Sequence, residues 1–223
     1  RHVSTSSVSG EFLVGAPNVP ALFTEDDLDI GQNWRDNVYV KSKLLAEKRV
    51  AEAAAGGLAT SVYRVGRLCG RYSDGRFQRN PETNSLYRVA RGFELLGAIP
   101  ESLARAPFEM TPVDLCSRAI LALNGARGTF HLVSPNPLTL GGLLYDLTRL
   151  PTAEFERRLR DALTPGCSPY INALAEYYFA GMRSTIQLST SRTVEALAAH
   201  GFTWPALDAI ALRRGLTGKG VSG

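Results

Sequence analysis

The sequence predicts an α/β protein in which part of a parallel β-sheet is joined to a smaller, mainly helical domain. An extended start, residues 1–5, and a β-rich run over 59–65 flank a strongly helical segment over 38–55. A strand, a helix and a strand in this order are typical of a right-handed crossover between parallel strands. From about residue 138 onward the predicted elements are mostly helices, which indicates a different architecture there.

The elements of the first half follow from composition and from the residues that stop them. Residues 10–37 predict a polar loop, because Gly, Pro and Asp recur through them. Residues 38–55 are good helix formers with an apolar stripe, and the pair Gly56-Gly57 ends that helix. The run over 59–65 is rich in β-branched and aromatic residues and closes at a glycine, as expected of a strand.

The second half is predicted to contain one short strand among several helices. The segment Thr111-Pro112-Val113-Asp114 indicates a turn into a helix over 115–123, because Pro and Asp both favour the first turn. A short strand follows over 129–133. The remaining predicted helices cover 85–96, 139–147, 152–163, 168–182 and 189–199.

Charge and cysteine content argue against several classes of function. The net charge of +4 and the pI near 9.1 are too weak to indicate nucleic acid binding alone, but they are compatible with an acidic partner. No apolar stretch approaches the length of a membrane span. Cys69, Cys116 and Cys167 lack metal-ligand spacing and are odd in number, so we expect free thiols in a reducing cytoplasm and no metal.

The strongest functional signal is Tyr39-Val40-Lys41-Ser42-Lys43, which follows the hydroxyl-rich run Ser4-Thr5-Ser6-Ser7. A tyrosine and a lysine four residues apart lie on one helix face. A lysine ammonium held near a phenol favours the phenolate, so the tyrosine can exchange a proton with a substrate oxygen. A strand hydroxyl can hold the same oxygen, although Ser and Thr at a strand end also cap backbone groups. This chemistry suits carbonyl reduction by a nicotinamide cofactor.

A glycine loop that would cradle a dinucleotide pyrophosphate does not follow any predicted strand. Such a loop reads Gly-x-Gly-x-x-Gly or Gly-x-x-Gly-x-x-Gly and opens a helix. We therefore expect this chain to be the C-terminal part of a longer protein that carries the loop upstream.

Four segments carry a resemblance to a known family. The stretches 4–10, 39–47 and 64–70 follow one another in the order used by the extended short-chain dehydrogenase/reductases. Tyr-Val-Lys-Ser-Lys-Leu-Leu-Ala-Glu, Arg-Val-Gly-Arg-Leu-Cys-Gly and, at 108–115, Phe-Glu-Met-Thr-Pro-Val-Asp-Leu resemble the terminal thioester reductase domains of nonribosomal peptide and polyketide synthetases. The reductase domains of carboxylic acid reductases are similar. The resemblance covers nearly the whole chain and is strongest through about residue 135.

The resemblance implies a fold, an activity, a cofactor and a partner. The fold would be the C-terminal half of a Rossmann-type parallel sheet plus a smaller, mainly helical substrate-binding domain. Such domains use NADPH to release a chain from the phosphopantetheine arm of a carrier protein as an aldehyde, sometimes going on to the alcohol. We accordingly expect a monomeric domain of a multidomain synthetase, with an upstream carrier protein as its partner.

The resemblance also implies the roles of individual residues. Thr5 matches the hydroxyl that polarises the carbonyl, Tyr39 matches the proton donor, and Lys43 matches the lysine that binds the ribose and favours the phenolate. Val65 and Gly66 match the backbone that passes the nicotinamide ring. Counting back from the glycine at position 10 selects Thr5.

Several alternatives to this assignment stay open. Ser6 is the alternative to Thr5 as the polarising hydroxyl. The chain could instead be part of another extended reductase or epimerase that acts on a nucleotide sugar. On its own, it could also be a catalytically inactive docking or substrate-binding domain.

The resemblance divides the chain between two predicted domains. Residues 1–72, together with 107–135, are assigned to the NADP-binding domain. Residues 73–106 and 136–223 are assigned to the substrate-binding domain. A basic stretch within or near the second of these is either a solvated surface or a contact for a phosphate or an acidic carrier protein, since guanidinium groups suit phosphates. It consists of Arg67, Arg71, Arg76, Arg79, Arg88 and Arg91.

Overall fold

The computed structural model describes residues 1–35, 37–180 and 184–217. Its strands are β1 (His2–Thr5), β2 (Ala21–Phe23), β3 (Ser61–Val65), β4 (Leu68–Cys69), β5 (Ala98–Pro100), β6 (Pro107–Phe108), β7 (Thr111–Pro112), β8 (Gly128–Leu132), β9 (Leu138–Thr139), β10 (Thr148–Leu150) and β11 (Ile186–Leu188). Its helices are α1 (Val38–Ala55), α2 (Ser85–Leu96), α3 (Glu101–Ala104), α4 (Val113–Ala122), α5 (Leu140–Leu143), α6 (Thr152–Ala162), α7 (Pro169–Ala180), α8 (Ser191–Ala199) and α9 (Ala209–Thr217).

The chain folds as two compact units. The first, here called the sheet unit, consists of Arg1–Leu68, Leu115–Pro135 and Arg183–Pro205. The second, here called the helical unit, consists of Cys69–Asp114, Asn136–Met182 and Ala206–Gly223. These units are defined by contacts within the chain. The assignment of one domain to NADP binding and the other to substrate binding stays a prediction.

A parallel three-stranded sheet in the order β1-β3-β8 forms the centre of the sheet unit. α1 connects β1 to β3, which confirms the predicted crossover and the mixed α/β class. An apolar cluster fixes α1 and β2 within this unit, and it is built from Val8, Phe23, Trp34, Val40, Leu44 and Ile186. β11 pairs in parallel with β2, so residues from the last third of the chain complete the sheet unit.

The helical unit is organised around the contact between α2 and α7. α2 begins at its cap Asn84, whose side chain accepts a hydrogen bond from the backbone of Tyr87, and it ends at Gly97 in the left-handed conformation. The buried face of α2 includes Phe93, which packs against Phe155 of α6 with ring centroids 6.0 Å apart. This apolar face accounts for the strong amphipathic pattern of α2 in the sequence.

One predicted helix is much shorter than expected. The segment over 139–147 forms only the single turn α5, and residues Thr148–Leu150 pair in parallel with β5 as strand β10. Gly141 and Gly142 lie inside the predicted helix, and glycine lowers helix stability by about 1 kcal/mol relative to alanine. Residues 181–182 of the helix predicted over 168–182 lie outside the described residues. Among the described residues, none of the helices is both long and apolar enough to cross a bilayer.

Candidate active site

Three neighbouring strands end together at one edge of the sheet. Thr5 is the last residue of β1 and pairs with Val65, the last residue of β3. Val65 pairs in turn with Leu132, the last residue of β8, whose carbonyl accepts a hydrogen bond of 3.0 Å from the backbone N–H of Gly66. In open parallel sheets, ligands bind outside the carboxyl ends of the strands. Thr5, Val65 and Gly66 therefore lie together at the edge where this rule expects a ligand.

The hydroxyl group of Thr5 caps the short 3₁₀ helix Ser6–Ser9 that leaves β1. Its Oγ1 accepts a hydrogen bond from the backbone N–H of Ser7 at 3.3 Å and donates to Ser7 Oγ at the same distance. Thr5 is buried, whereas Ser6 is half-buried within the 3₁₀ helix. Both bonds are long for their type and therefore weak, so the Thr5 hydroxyl can redirect the bond that it donates from Ser7 Oγ to a stronger acceptor.

α1 presents Tyr39 and Lys43 from its first two turns. The helix begins at its cap Asn37, whose side chain accepts a hydrogen bond of 3.1 Å from the N–H of Val40. The Tyr39 side chain is exposed, with 55% of the residue accessible to solvent. Lys43 Nζ donates a hydrogen bond of 3.1 Å to the carbonyl of Val3 in β1.

The contact between Lys43 and Val3 connects the helix to the strand that ends in Thr5. Tyr39 lies one helical turn before Lys43, toward the start of the helix. The structure thus ties the helix that carries the phenol and the ammonium to the strand that carries the hydroxyl. Together these side chains offer three hydrogen-bond donor groups, and the phenol of Tyr39 can also pass its proton to a bound oxygen.

A buried network next to this edge was not anticipated from the sequence. Arg64 of β3 donates to Glu47 Oε2 of α1 through both Nε, at 3.0 Å, and Nη2, at 2.8 Å. The side chains of this ion pair are each only 2% exposed. Arg64 Nη1 also lies 3.0 Å from Nε2 of His131 in β8. Because an arginine only donates, His131 Nε2 must accept and its Nδ1–H must donate to the carbonyl of Ser189, 2.5 Å away.

Burial lowers the pKa of two histidines in the sheet unit, His131 and His2. The pKa of His131 lies below its ordinary value, first because burial disfavours the imidazolium and also because the Arg64 guanidinium repels it. The hydrogen bond to Ser189 and the carboxylates of Glu25 and Glu47 oppose this shift. The pKa of His2 is lowered as well, mainly by burial and secondarily by the Lys43 ammonium.

Two signals in the sequence pointed to the buried network. Arg64 interrupts an otherwise apolar strand, and a charged residue is almost never fully buried unless it is paired. Glu47 lies four residues after Lys43, and therefore on nearly the same helix face. What the sequence lacked was any indication that these two residues meet, since the partner of a buried charge depends on the tertiary fold.

The basic stretch of the sequence is partly neutralised by neighbouring acids. Arg71 forms an ion pair with Asp74, and Arg91 forms one with Glu94. Arg79 is exposed, and Arg88 makes a long contact of 3.5 Å from Nη2 to the carbonyl of Pro169. The positive charge available to a partner therefore includes these last two arginines.

The first half of the chain matches a known protein family. Residues 1–120, just over half of the chain, match the model of an NAD-binding family described as Male sterility protein. Among characterised proteins, a linear gramicidin synthase of Brevibacillus parabrevis is 31% identical over 116 residues, which are 50% of this chain and 2% of that protein.

Solved structures extend the similarity to nearly the whole chain. A thiolation-reductase di-domain from an archaeal non-ribosomal peptide synthetase is 27% identical, with a TM-score of 0.81 over 96% of this chain and 47% of that one. The aureusimine biosynthetic cluster reductase domain is 26% identical, with a TM-score of 0.79 over 96% of this chain and 58% of that one. This chain thus spans about half the length of these reductase structures and a small part of the gramicidin synthase.

Proposed function

Since this chain belongs to the Male sterility protein family of NAD-binding proteins, we propose that it is part of a reductase domain that releases an acyl or peptidyl thioester from a carrier protein. The proposed cofactor is NADPH, and the proposed product is the aldehyde. The similarity to reductase domains of peptide synthetases supports this substrate class. The three cysteines, all free thiols, support a location in the reducing cytoplasm.

One observation carries the proposal. Lys43 donates to Val3, two residues before Thr5, so the helix that bears Tyr39 is bound to the strand that bears the candidate polarising hydroxyl. Thr5 itself pairs with Val65 at the carboxyl edge of the parallel sheet. A hydroxyl, a phenol and an ammonium carried by these two elements match what carbonyl reduction requires of a protein.

The residues at this edge fit the nicotinamide end of a dinucleotide. Lys43 uses one N–H for the carbonyl of Val3, and an ammonium has two more for ribose hydroxyl groups. The Gly66 N–H is already bonded to Leu132, so the backbone at Val65 and Gly66 would present a fixed surface to the flat ring. When bound, the cofactor supplies a hydride to the thioester carbonyl carbon.

Side chains of this protein would stabilise and protonate the carbonyl oxygen of the substrate. Negative charge develops on the carbonyl oxygen during reduction, and donors from Thr5 and Tyr39 would stabilise it. Tyr39 would then deliver its proton to that oxygen, giving a hemithioacetal. The hemithioacetal breaks its C–S bond to yield the aldehyde and the free pantetheine thiol, while Lys43 keeps the ribose and Tyr39 in position.

We assign cofactor binding to residues 1–72 with 107–135 and substrate binding to residues 73–106 and 136–223. The carrier protein is the proposed partner, and Arg79 and Arg88 are the proposed contacts for its acidic surface or for the phosphate of its pantetheine arm. Guanidinium groups bind phosphates with two parallel hydrogen bonds, which suits such a contact.

The decisive experiment uses the full-length protein that contains this chain, NADPH and an acyl-pantetheine thioester. Wild-type protein should consume NADPH and produce aldehyde, and Tyr39→Phe should reduce kcat by at least about 100-fold, as expected for loss of a general acid. Tyr72→Phe, at a partly exposed tyrosine of the helical unit, is the matched control and should keep wild-type turnover. Turnover that Tyr39→Phe leaves unchanged would contradict the proposed mechanism.

A further inference from the structure

α1 is attached to the sheet at two points that lie one helical turn apart. At the first, Lys43 Nζ donates to the carbonyl of Val3 in β1. At the second, Glu47 accepts two hydrogen bonds from Arg64 in β3. The helix therefore spans two adjacent strands, and its rotation and its height above the sheet are both constrained.

The second attachment is a charged pair in an almost fully buried position. The side chains of Glu47 and Arg64 are each 2% exposed. Burying two charges costs desolvation energy that their attraction only partly returns, so such a pair adds little stability compared with apolar residues. Two guanidinium N–H groups that converge on one carboxylate oxygen, Glu47 Oε2, do, however, fix distance and direction more tightly than apolar packing does.

Arg64 is itself held from several sides. Its Nη2 donates to the carbonyl of Asp27 at 2.6 Å, and its Nη1 lies 3.0 Å from His131 Nε2 of β8. Along the sheet it pairs with Ser4, the residue before Thr5, and it directly precedes Val65. Arg64 is thus a fixed point within one residue of the edge that holds Thr5 and Val65.

We infer that the Glu47–Arg64 pair is a positioning element that sets the location of Tyr39 and Lys43 relative to Thr5. This inference rests on the proposed function, because it concerns the same phenol, ammonium and hydroxyl. Tyr39, Lys43 and Glu47 follow one another at intervals of four residues, so a shift at Glu47 moves the other two along the same helix face. Neither Glu47 nor Arg64 needs to touch substrate for this effect.

The test compares Glu47→Gln and Arg64→Lys with wild type in the full-length protein, using NADPH and an acyl-pantetheine thioester in single-turnover reactions. The first-order rate constant for NADPH oxidation should fall about 100-fold in Glu47→Gln, because a misplacement of about 1 Å has an effect of that size. Arg64→Lys keeps the charge but loses the fork, and a smaller decrease of about 10-fold is expected. In separate steady-state reactions, the KM for the thioester should stay within about twofold of wild type, as expected when only transition-state interactions are lost.

The rate constant distinguishes a loss of positioning from incomplete folding of the variant. A variant that merely folds less completely gives a smaller reaction amplitude with the wild-type rate constant. Glu52→Gln is the matched control, because it removes an exposed carboxylate from the same helix, and it should retain the wild-type rate constant. Wild-type rate constants in both Glu47→Gln and Arg64→Lys would overturn the inference.

Three outcomes identify which claim fails. If both variants are insoluble, the pair is required for folding and the inference fails. If Tyr39→Phe keeps full turnover, the proposed function fails first. If Tyr39→Phe is inactive while Glu47→Gln and Arg64→Lys both keep the wild-type rate constant, only the positioning inference fails.

Discussion

Gly92 of α2 lies directly against the backbone of Tyr170 in α7. A Cβ atom at this position would lie 2.6 Å from Leu174 Cβ and still closer to the carbonyl oxygen of Tyr170. Both neighbours belong to a packed helix that cannot move like the tip of a flexible side chain. The absence of a side chain at Gly92 is therefore what allows the two central helices of the helical unit to approach.

We predict that Gly92→Ala destabilises the helical unit by about 1–3 kcal/mol, the usual effect of overpacking a close contact. This cost should exceed the gain of about 1 kcal/mol that alanine brings to a helix interior. Urea denaturation followed by circular dichroism measures the difference. Gly56→Ala is the control, because Gly56 has ordinary backbone angles and its nearest neighbour would be 3.4 Å away. A Gly92→Ala protein as stable as wild type would show that α2 and α7 adjust freely.

Local signals explain why some elements could be predicted to the residue. The helices over 38–55 and 85–96 were confirmed with the predicted bounds. Each begins at an asparagine cap and ends at glycine, and these signals act within a single turn. The parallel pairing of β1 and β3, with α1 between them along the chain, was confirmed as well, because a parallel pair needs a long crossover connection, usually a helix.

Contacts between distant segments explain what the sequence left open. β11 pairs with β2 across more than 160 residues. Turn and cap signals act only between neighbouring residues, so they do not predict this pairing. The ion pair of Glu47 and Arg64 is of the same kind, since the sequence does not identify either residue as the partner of the other. The roles of Thr5, Tyr39, Lys43, Val65 and Gly66 stay predictions. Thr5, Val65 and Gly66 lie at one edge of the sheet, and Tyr39 and Lys43 lie on α1, which Lys43 ties to β1.

Acid should destabilise the sheet unit through His131. Its pKa in the folded protein lies below the ordinary value of 6.5, chiefly because it is buried. At a pH between the lowered pKa of the folded protein and 6.5, His131 binds a proton in the unfolded chain but not in the folded protein. Stability is therefore fully present above about pH 6.5 and falls as the pH is lowered, by up to about 1.4 kcal/mol per pH unit.

The measurement for His131 is the urea midpoint between pH 7.5 and pH 5. His131→Gln should lower the midpoint at pH 7.5, because it removes a buried ring, but it should also flatten the decline toward pH 5. His200→Gln, at an exposed histidine, should decline in parallel with wild type. An equal decline in wild type and His131→Gln would show that another group causes the acid sensitivity.

Thr5 and Ser6 are the two candidates for the polarising hydroxyl, and substituting each in turn distinguishes them. If Thr5 holds the substrate oxygen, Thr5→Val should lower kcat by about 100- to 1,000-fold, the usual effect of removing one donor from a developing negative charge. Ser6→Ala should then stay within about twofold of wild type, because Ser6 lies beyond the strand end within the 3₁₀ helix. NADPH oxidation with an acyl-pantetheine thioester measures both. The reverse result would transfer the role to Ser6.

Substitutions of Arg79 and Arg88 should weaken binding of the carrier protein but leave the reduction of the thioester unchanged. Charge reversal in Arg79→Glu or Arg88→Glu should raise the KM for a thioester on its carrier protein by about 10-fold, roughly the effect of 1.4 kcal/mol, because attraction to an acidic surface becomes repulsion. The KM for the same acyl group on free pantetheine should stay unchanged if the contact is to the carrier surface. If the contact is to the phosphate, a phosphopantetheine thioester should show the same rise as the carrier. Arg157→Glu, an exposed arginine of α6 outside the basic stretch, should alter neither constant, and a uniform response of all three variants would indicate only a general charge effect.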